Sequence, residues 1–161
     1  MAGQHEDIDH TGITGVGGAT VASGARVYNN ANLALTSGVA TALTFNTERW
    51  DDATYHDTGS NTGRLTVSSA GRYLIGAHVQ VTSAGSTTGY VYIRQGGTTI
   101  VAVQNLDVGN GELFASISTV WDCTAGTEYF EFLVLVSAAS KNAIAASAYS
   151  PEFWIEKLGT T

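Results

Sequence analysis

The chain has 161 residues, of which 43% are hydrophobic and 13% charged, with 19 glycines, one proline and a formal net charge of −7. That composition excludes collagen and proline-rich disorder, the seven scattered basic residues exclude a sequence-independent grip on nucleic acid, and no apolar run reaches the ~20 residues of a membrane-spanning helix. The one cysteine, Cys123, allows no intrachain disulfide and suits synthesis in a reducing compartment.

Residues 1–24 come first and differ from the rest. "MAGQHEDIDH" lacks the basic region and apolar stretch of a secretion signal. The glycines at 12, 15 and 18 start a period of three that is too short, and too poor in proline, for a collagen triple helix. The segment reads as an extended arm, followed by a single domain over 25–161. Strands are predicted over 25–30 ("ARVYNN") and 40–45 ("ATALTF"), and then a polar insert runs from 46 to 63. Further strands are predicted over 64–69, 71–83, 89–95, 98–106, 112–123, 128–136 and 148–158. Gly96-Gly97 between two of them is a two-residue hairpin signal. The alanine-rich 137–150 reads as a loop running into the last strand. No segment combines helical apolar spacing with freedom from glycine and β-branched clusters. Eight to ten short strands with turns every ~8–12 residues predict an all-β, antiparallel jelly-roll sandwich.

Three strands carry apolar side chains on both faces, where a sandwich strand needs them on one. "EYFEFLVLV" places Phe130, Phe132, Val134 and Val136 on one side and Tyr129, Glu131, Leu133 and Leu135 on the other. "GRYLIGAHVQV" has a second face with Leu74 and His78, and "PEFWIEKL" one with Trp154 and Leu158. With no helices to cover them, these eight second-face residues are expected to meet another copy of the chain. The apolar surplus by itself allows a dimer or a higher oligomer.

Three clusters could carry chemistry. "HEDIDH" holds His5, Asp7 and His10 without a fixed metal-ligand spacing, and reads as part of the arm. "RWDDATYHD" gathers Trp50, Asp51, Asp52, Tyr55, His56 and Asp57 in one loop, a candidate ligand surface. Cys123 reads as a small buried hydrophobe. No nucleophile elbow, Cys–His signature or HExxH motif is present. The expectation is therefore a non-enzymatic protein with no metal and no cofactor.

Several segments resemble a known family. Phe45-Asn46, the aromatic–acidic loop Tyr55-His56-Asp57, the short strand Leu65–Val67 and the Gly71-Arg72-Tyr73 opening of a long strand look like the globular head of complement-component-one-q-like proteins, in the tumour-necrosis-factor-like superfamily. "YVYIRQGGTTI", "ISTVWDCTAGTEYFEFLV" and "EFWIEKLG" are similar to later strands of that head, so the resemblance covers ~25–159. It implies a jelly roll that forms a homotrimer through the sheet holding its first, last and central strands. "DHTGITGVGG" is similar to linker segments of tailed-bacteriophage virion proteins, where trimeric jelly rolls occur as capsid decorations and fibre tips. The expected role is a capsid decoration protein on the outer surface of a virion, made in the host cytoplasm. Its arm residues His5, Asp7, Ile8, His10, Ile13 and Val16 would dock to the major capsid protein or another virion protein. The alternatives are a tail-fibre head that binds a host-surface glycan through loops 46–63 and 84–88, and a bacterial surface binding module.

Overall fold

The computed structural model describes residues 23–82, 87–108, 112–138, 141–146 and 150–159. Among these there is no helix, and so none long and apolar enough to cross a membrane. Twelve strands are present: β1 (Gly24–Tyr28), β2 (Leu33–Leu35), β3 (Thr41–Ala42), β4 (Thr47–Asp51), β5 (Arg64–Thr66), β6 (Gly71–Val81), β7 (Thr87–Gln95), β8 (Thr99–Val108), β9 (Leu113–Cys123), β10 (Tyr129–Val136), β11 (Lys141–Ala143) and β12 (Glu152–Gly159).

They form two antiparallel sheets. The larger runs β2-β11-β6-β12-β1-β4, with β9 on the free side of β6; the smaller runs β3-β10-β7-β8, with β5 also paired to β10. The fold is the predicted jelly-roll sandwich. Strict alternation decides which side of each strand enters the core. Tyr73, Ile75, Ala77, Val79 and Val81 point inward from β6, and Phe130, Phe132, Val134 and Val136 face them from β10. Phe153 of β12 joins the two layers, with its ring 5.7 Å from Phe45 and 6.3 Å from Phe132.

The Gly96-Gly97 hairpin forms as its sequence requires. Both glycines take positive φ, 60° and 76°, and the Thr98 amide donates to the Gln95 carbonyl at 3.2 Å. Positive φ at both central positions is the twist-matched two-residue turn.

Three short strands were not expected. β4 lies inside the polar insert, where Thr47–Asp51 has no apolar face to reveal it, and is held by pairing with β1. β2 and β11 pair with each other, and β11 touches β6 only at Ala143–Val81. Three ladder positions with each other and one with β6 are too few to leave a period in the sequence. The end of the segment expected to be an arm is tied into the sheet: Gly24 opens β1, and the Lys157 amide donates to the Ser23 carbonyl at 2.8 Å.

One expectation is corrected by the topology. β10 belongs to the smaller sheet, whereas β6 and β12 are neighbours in the larger one. The eight second-face residues therefore do not share a surface. They divide between opposite outer faces of the sandwich.

Candidate functional site

Leu74, His78, Trp154 and Leu158 do come together, on the outer face of the larger sheet. Directly paired residues share a face, and the registers align Val120–Leu74–Glu156, Ser118–Gly76–Trp154–Arg26–Trp50 and Ser116–His78–Glu152–Tyr28. The Trp154 indole lies flat over Gly76, so close that a Cβ there would collide with the ring. Glycine at 76 is the space that lets the indole lie down. Trp154 also sits 5.9 Å from the His78 ring and 5.8 Å beneath the Arg26 guanidinium.

At the centre of this face Glu152 is only 3% exposed. It is held by two arginines: Arg26 Nε and Arg49 Nε each donate to it at 2.6 Å, and Arg26 and Arg49 also form ion pairs with it through Nη2. Burial pushes the carboxyl up, but the hydrogen bonds from Arg49 and Arg26 outweigh burial and hold it below its ordinary value. Burial is also the main influence on His78 and lowers its pKa from 6.5, against the partial pull of Glu152. Both groups are therefore depressed in the folded state, so both contribute stability above their unfolded pKa and lose it as pH falls. The melting temperature is expected to drop below about pH 6.5 as His78 becomes protonated in the unfolded chain, and more steeply below about 4.5. Calorimetry of the wild type and of His78→Gln checks this: the variant should lose the upper step and keep the lower one.

The other four residues flank β10 on the opposite face, and there the subunit covers its own second surface. Glu131 is buried between Arg64, which donates to it at 3.3 Å, and Arg94, which donates through Nη2 at 2.8 Å. Leu133 is paired with Tyr92 on one side and Ala42 on the other, and is 2% exposed. Leu135 lies beside Tyr90, which stacks on Tyr92 at 5.8 Å. Tyr129 carries the Arg64 guanidinium over its ring at 4.0 Å. A strand central to its sheet has tall neighbours on both sides, and these screen its outer side chains without a second copy.

The sandwich has two chemically different edges. Along one, β8 and β9 lie against each other. They expose Ile100 and Val103 on the outer face of the smaller sheet and Phe114 and Val120 on that of the larger, each at half its surface or more. Along the other, β4, β5 and the loop between them enclose a polar cleft of about 470 Å³, lined by Glu48, Thr54, His56, Asp57, Asn61 and Arg64 among others.

The six loop residues named from the sequence are divided by this geometry. His56 and Asp57 line the cleft. Tyr55 also borders the cleft, but its ring turns into the core, where its hydroxyl lies 2.9 Å from that of Ser23. Trp50 packs on Gly24, beside Asp52 in a separate shallow depression. Asp51 organises the loop: its carboxylate accepts the amides of Ala53 (3.2 Å), Tyr55 (3.0 Å) and His56 (2.9 Å). Replacing Asp51 by alanine leaves those amides without a partner and is expected to cost about 2–3 kcal/mol. Chemical denaturation, with faster hydrogen exchange at Tyr55 and His56, checks it.

Other polar groups are likewise committed. His56 is buried, with Nδ1 at 3.0 Å from Glu48 and Nε2 at 3.2 Å from the Thr62 carbonyl. Among the described residues no three His, Cys, Asp or Glu side chains are placed to hold a metal ion. Burial, with the nearby Glu128 and Asp122 carboxylates, pushes the Cys123 thiol up to about 12, so it stays protonated and unreactive. The arm residues His5, Asp7, Ile8, His10, Ile13 and Val16 lie outside the described residues.

Two features of the site had no sequence signal. The arginines that hold Glu152 are 126 and 103 positions away in the chain. Ile100 and Val103, three apart in β8, are brought to one face by a bulge that no local pattern announces.

No protein-family model matches the sequence, and no curated protein is significantly similar to it. Solved structures do match. The globular domain of zebrafish complement 1qA protein aligns with a TM-score of 0.58 at 14% identity, over 83% of this chain and 92% of that one. Murine APRIL aligns with a TM-score of 0.63 at 12% identity, over 85% and 99%. The chain has the jelly-roll fold of these domains. Eiger TNF from S. frugiperda matches similarly, with a TM-score of 0.62 at 11% identity over 87% of this chain and 94% of its own.

Proposed function

We propose that the chain is a non-enzymatic structural protein that works as a homotrimer. The observation that carries this is the sidedness of the sandwich. At the β8–β9 edge, β8 exposes Ile100 and Val103 on the outer face of the smaller sheet, while β9 exposes Phe114 and Val120 on that of the larger sheet, beside Leu74, Trp154 and the exposed Leu158. An edge that seats on the neighbour's face is a heterologous contact, which closes into a ring when the rotation allows it. Three such contacts bury both apolar surfaces of every copy, and the sequence resemblance implies the same count. Each large apolar side chain withdrawn from water is worth about 1.5–3 kcal/mol.

The trimer's place is the outer surface of a phage particle, as a capsid decoration, with the N-terminal arm ahead of Ser23 docked to the major capsid protein or another virion protein. The likeness of "DHTGITGVGG" to virion linkers supports this, and an arm that orders on docking would couple folding to attachment. Deleting residues 1–20 is expected to abolish attachment to particles and to leave the trimer intact. Truncated trimers that still decorate particles would refute the docking role. Mass spectrometry of purified particles separates this role from that of a bacterial surface module. A tail-fibre head is the second reading, and the polar cleft on the edge away from the apolar surfaces favours it.

A further inference from the structure

We infer that the cleft between β4 and β5 is a carbohydrate-binding site that takes a neutral hexose unit of a glycan. This deepens the second reading above and does not depend on the trimer, because one subunit carries the whole cleft. Its volume of about 470 Å³ lies within the range of small-molecule sites, roughly 300–1,000 Å³.

Two observations single this cleft out. Thr54 (φ 56°) and Asn61 (φ 53°) are the only non-glycine residues with positive φ among those described, and both line it. A β-branched residue is a genuine outlier in that region, and strain of this kind gathers at ligand-holding loops. The second observation is rigidity. Asp51 accepts three loop amides, Asp57 Oδ1 accepts those of Gly59 (2.8 Å) and Ser60 (3.1 Å), and His56 is pinned on both ring nitrogens. A cleft held open in advance loses little conformational freedom on binding.

The lining sets the ligand's chemistry. It contains no aliphatic side chain, and the ring of Tyr55, the one phenol in it, is buried, so recognition comes from hydrogen bonds. Hydroxyls of Thr54 and Thr66 and the amide of Asn61 both donate and accept, as the hydroxyls of a sugar do. Glu48 and Asp57 each use one carboxylate oxygen within the protein, which leaves the other as an acceptor for sugar hydroxyls. Arg64 is committed to Glu131 and to the Tyr129 ring. The charge left facing the cleft is therefore negative, within a protein of net charge −7, which rejects anionic sugars.

The test uses the full chain and saturation-transfer NMR. The probes are the methyl glycosides of glucose, galactose, mannose and N-acetylglucosamine, with methyl N-acetylneuraminate as the anionic counterpart. At least one neutral glycoside is expected to bind saturably, and the sialoside not to bind. In the double variant Thr54→Gly, Asn61→Gly, glycine relieves both positive φ angles, so the fold should persist while two ligand-facing groups disappear. Affinity should fall about tenfold or more. Tyr90→Ala, in the separate depression beside Asn105 and Leu135, should leave binding unchanged. No binding by any neutral probe up to its highest usable concentration, binding by the sialoside alone, undiminished binding in the folded double-glycine variant, or loss in Tyr90→Ala would each overturn the inference. Sedimentation of the same samples reports the oligomeric state separately.

Discussion

Phe153→Ala is expected to lose about 3–5 kcal/mol of stability, a large fraction of what a domain of this size typically has. Phe153 is fully buried and is the ring through which the larger sheet touches Phe132 of the opposite layer and Phe45 of the segment between β3 and β4. Truncating such a phenylalanine costs about 3–5 kcal/mol, because transfer energy is lost and the two sheets cannot close the cavity. A domain of this size has about 5–15 kcal/mol in all. Chemical denaturation monitored by far-ultraviolet circular dichroism measures the loss. Phe153→Leu, which restores most of the volume, should recover much of it. If Phe153→Ala melted like the wild type, the two layers would not depend on this contact.

The double substitution Ile100→Asp, Val120→Asp is expected to separate folding from assembly. Ile100 on β8 and Val120 on β9 belong to the two outer faces that would meet in a copy-to-copy contact, and both are at least half exposed in a single subunit, so the fold does not need them. If they are buried between copies, their loss removes roughly 3–6 kcal/mol per contact, a weakening of about a hundredfold or more, before the cost of burying the new charges is counted. The variant should be a folded monomer, with an unchanged circular dichroism spectrum and a mass reduced to that of one chain. An oligomer of unchanged stability would mean that this edge faces water.

Strand periodicity made the fold readable from the sequence. The long strands β6, β9 and β10 alternate so cleanly that their limits are nearly those expected, and Gly96-Gly97 marks its turn by chemistry that only glycine supplies without strain. The assignment of strands to sheets was not readable. "EYFEFLVLV" looks two-faced in isolation because its outer cover comes from Tyr92, Arg94, Arg64 and Ala42, three strands that no local pattern connects to it. The same limit applies to the site. "RWDDATYHD" announces a polar loop, but it cannot say that Asp51 spends its carboxylate on the backbone or that Tyr55 points inward. Nor can it show that Thr54 and Asn61, ordinary residues in the sequence, are the strained ones.

The outer face of the larger sheet joins assembly to pH. Glu152 between Arg26 and Arg49 is buried with both arginines still partly exposed, and His78 shares its pairing row. Covering this face with a neighbour would withdraw the arginines from water as well, and the carboxylate then has to neutralise them more completely.

The decisive measurement is the mass of the full-length chain in dilute solution, by mass photometry or sedimentation velocity at nanomolar concentration. A single species at three times the chain mass is expected, and it should persist on dilution. A stable, soluble monomer at that concentration would mean that the β8–β9 edge and the Leu74–Trp154 face need no partner, and the proposed assembly would be wrong.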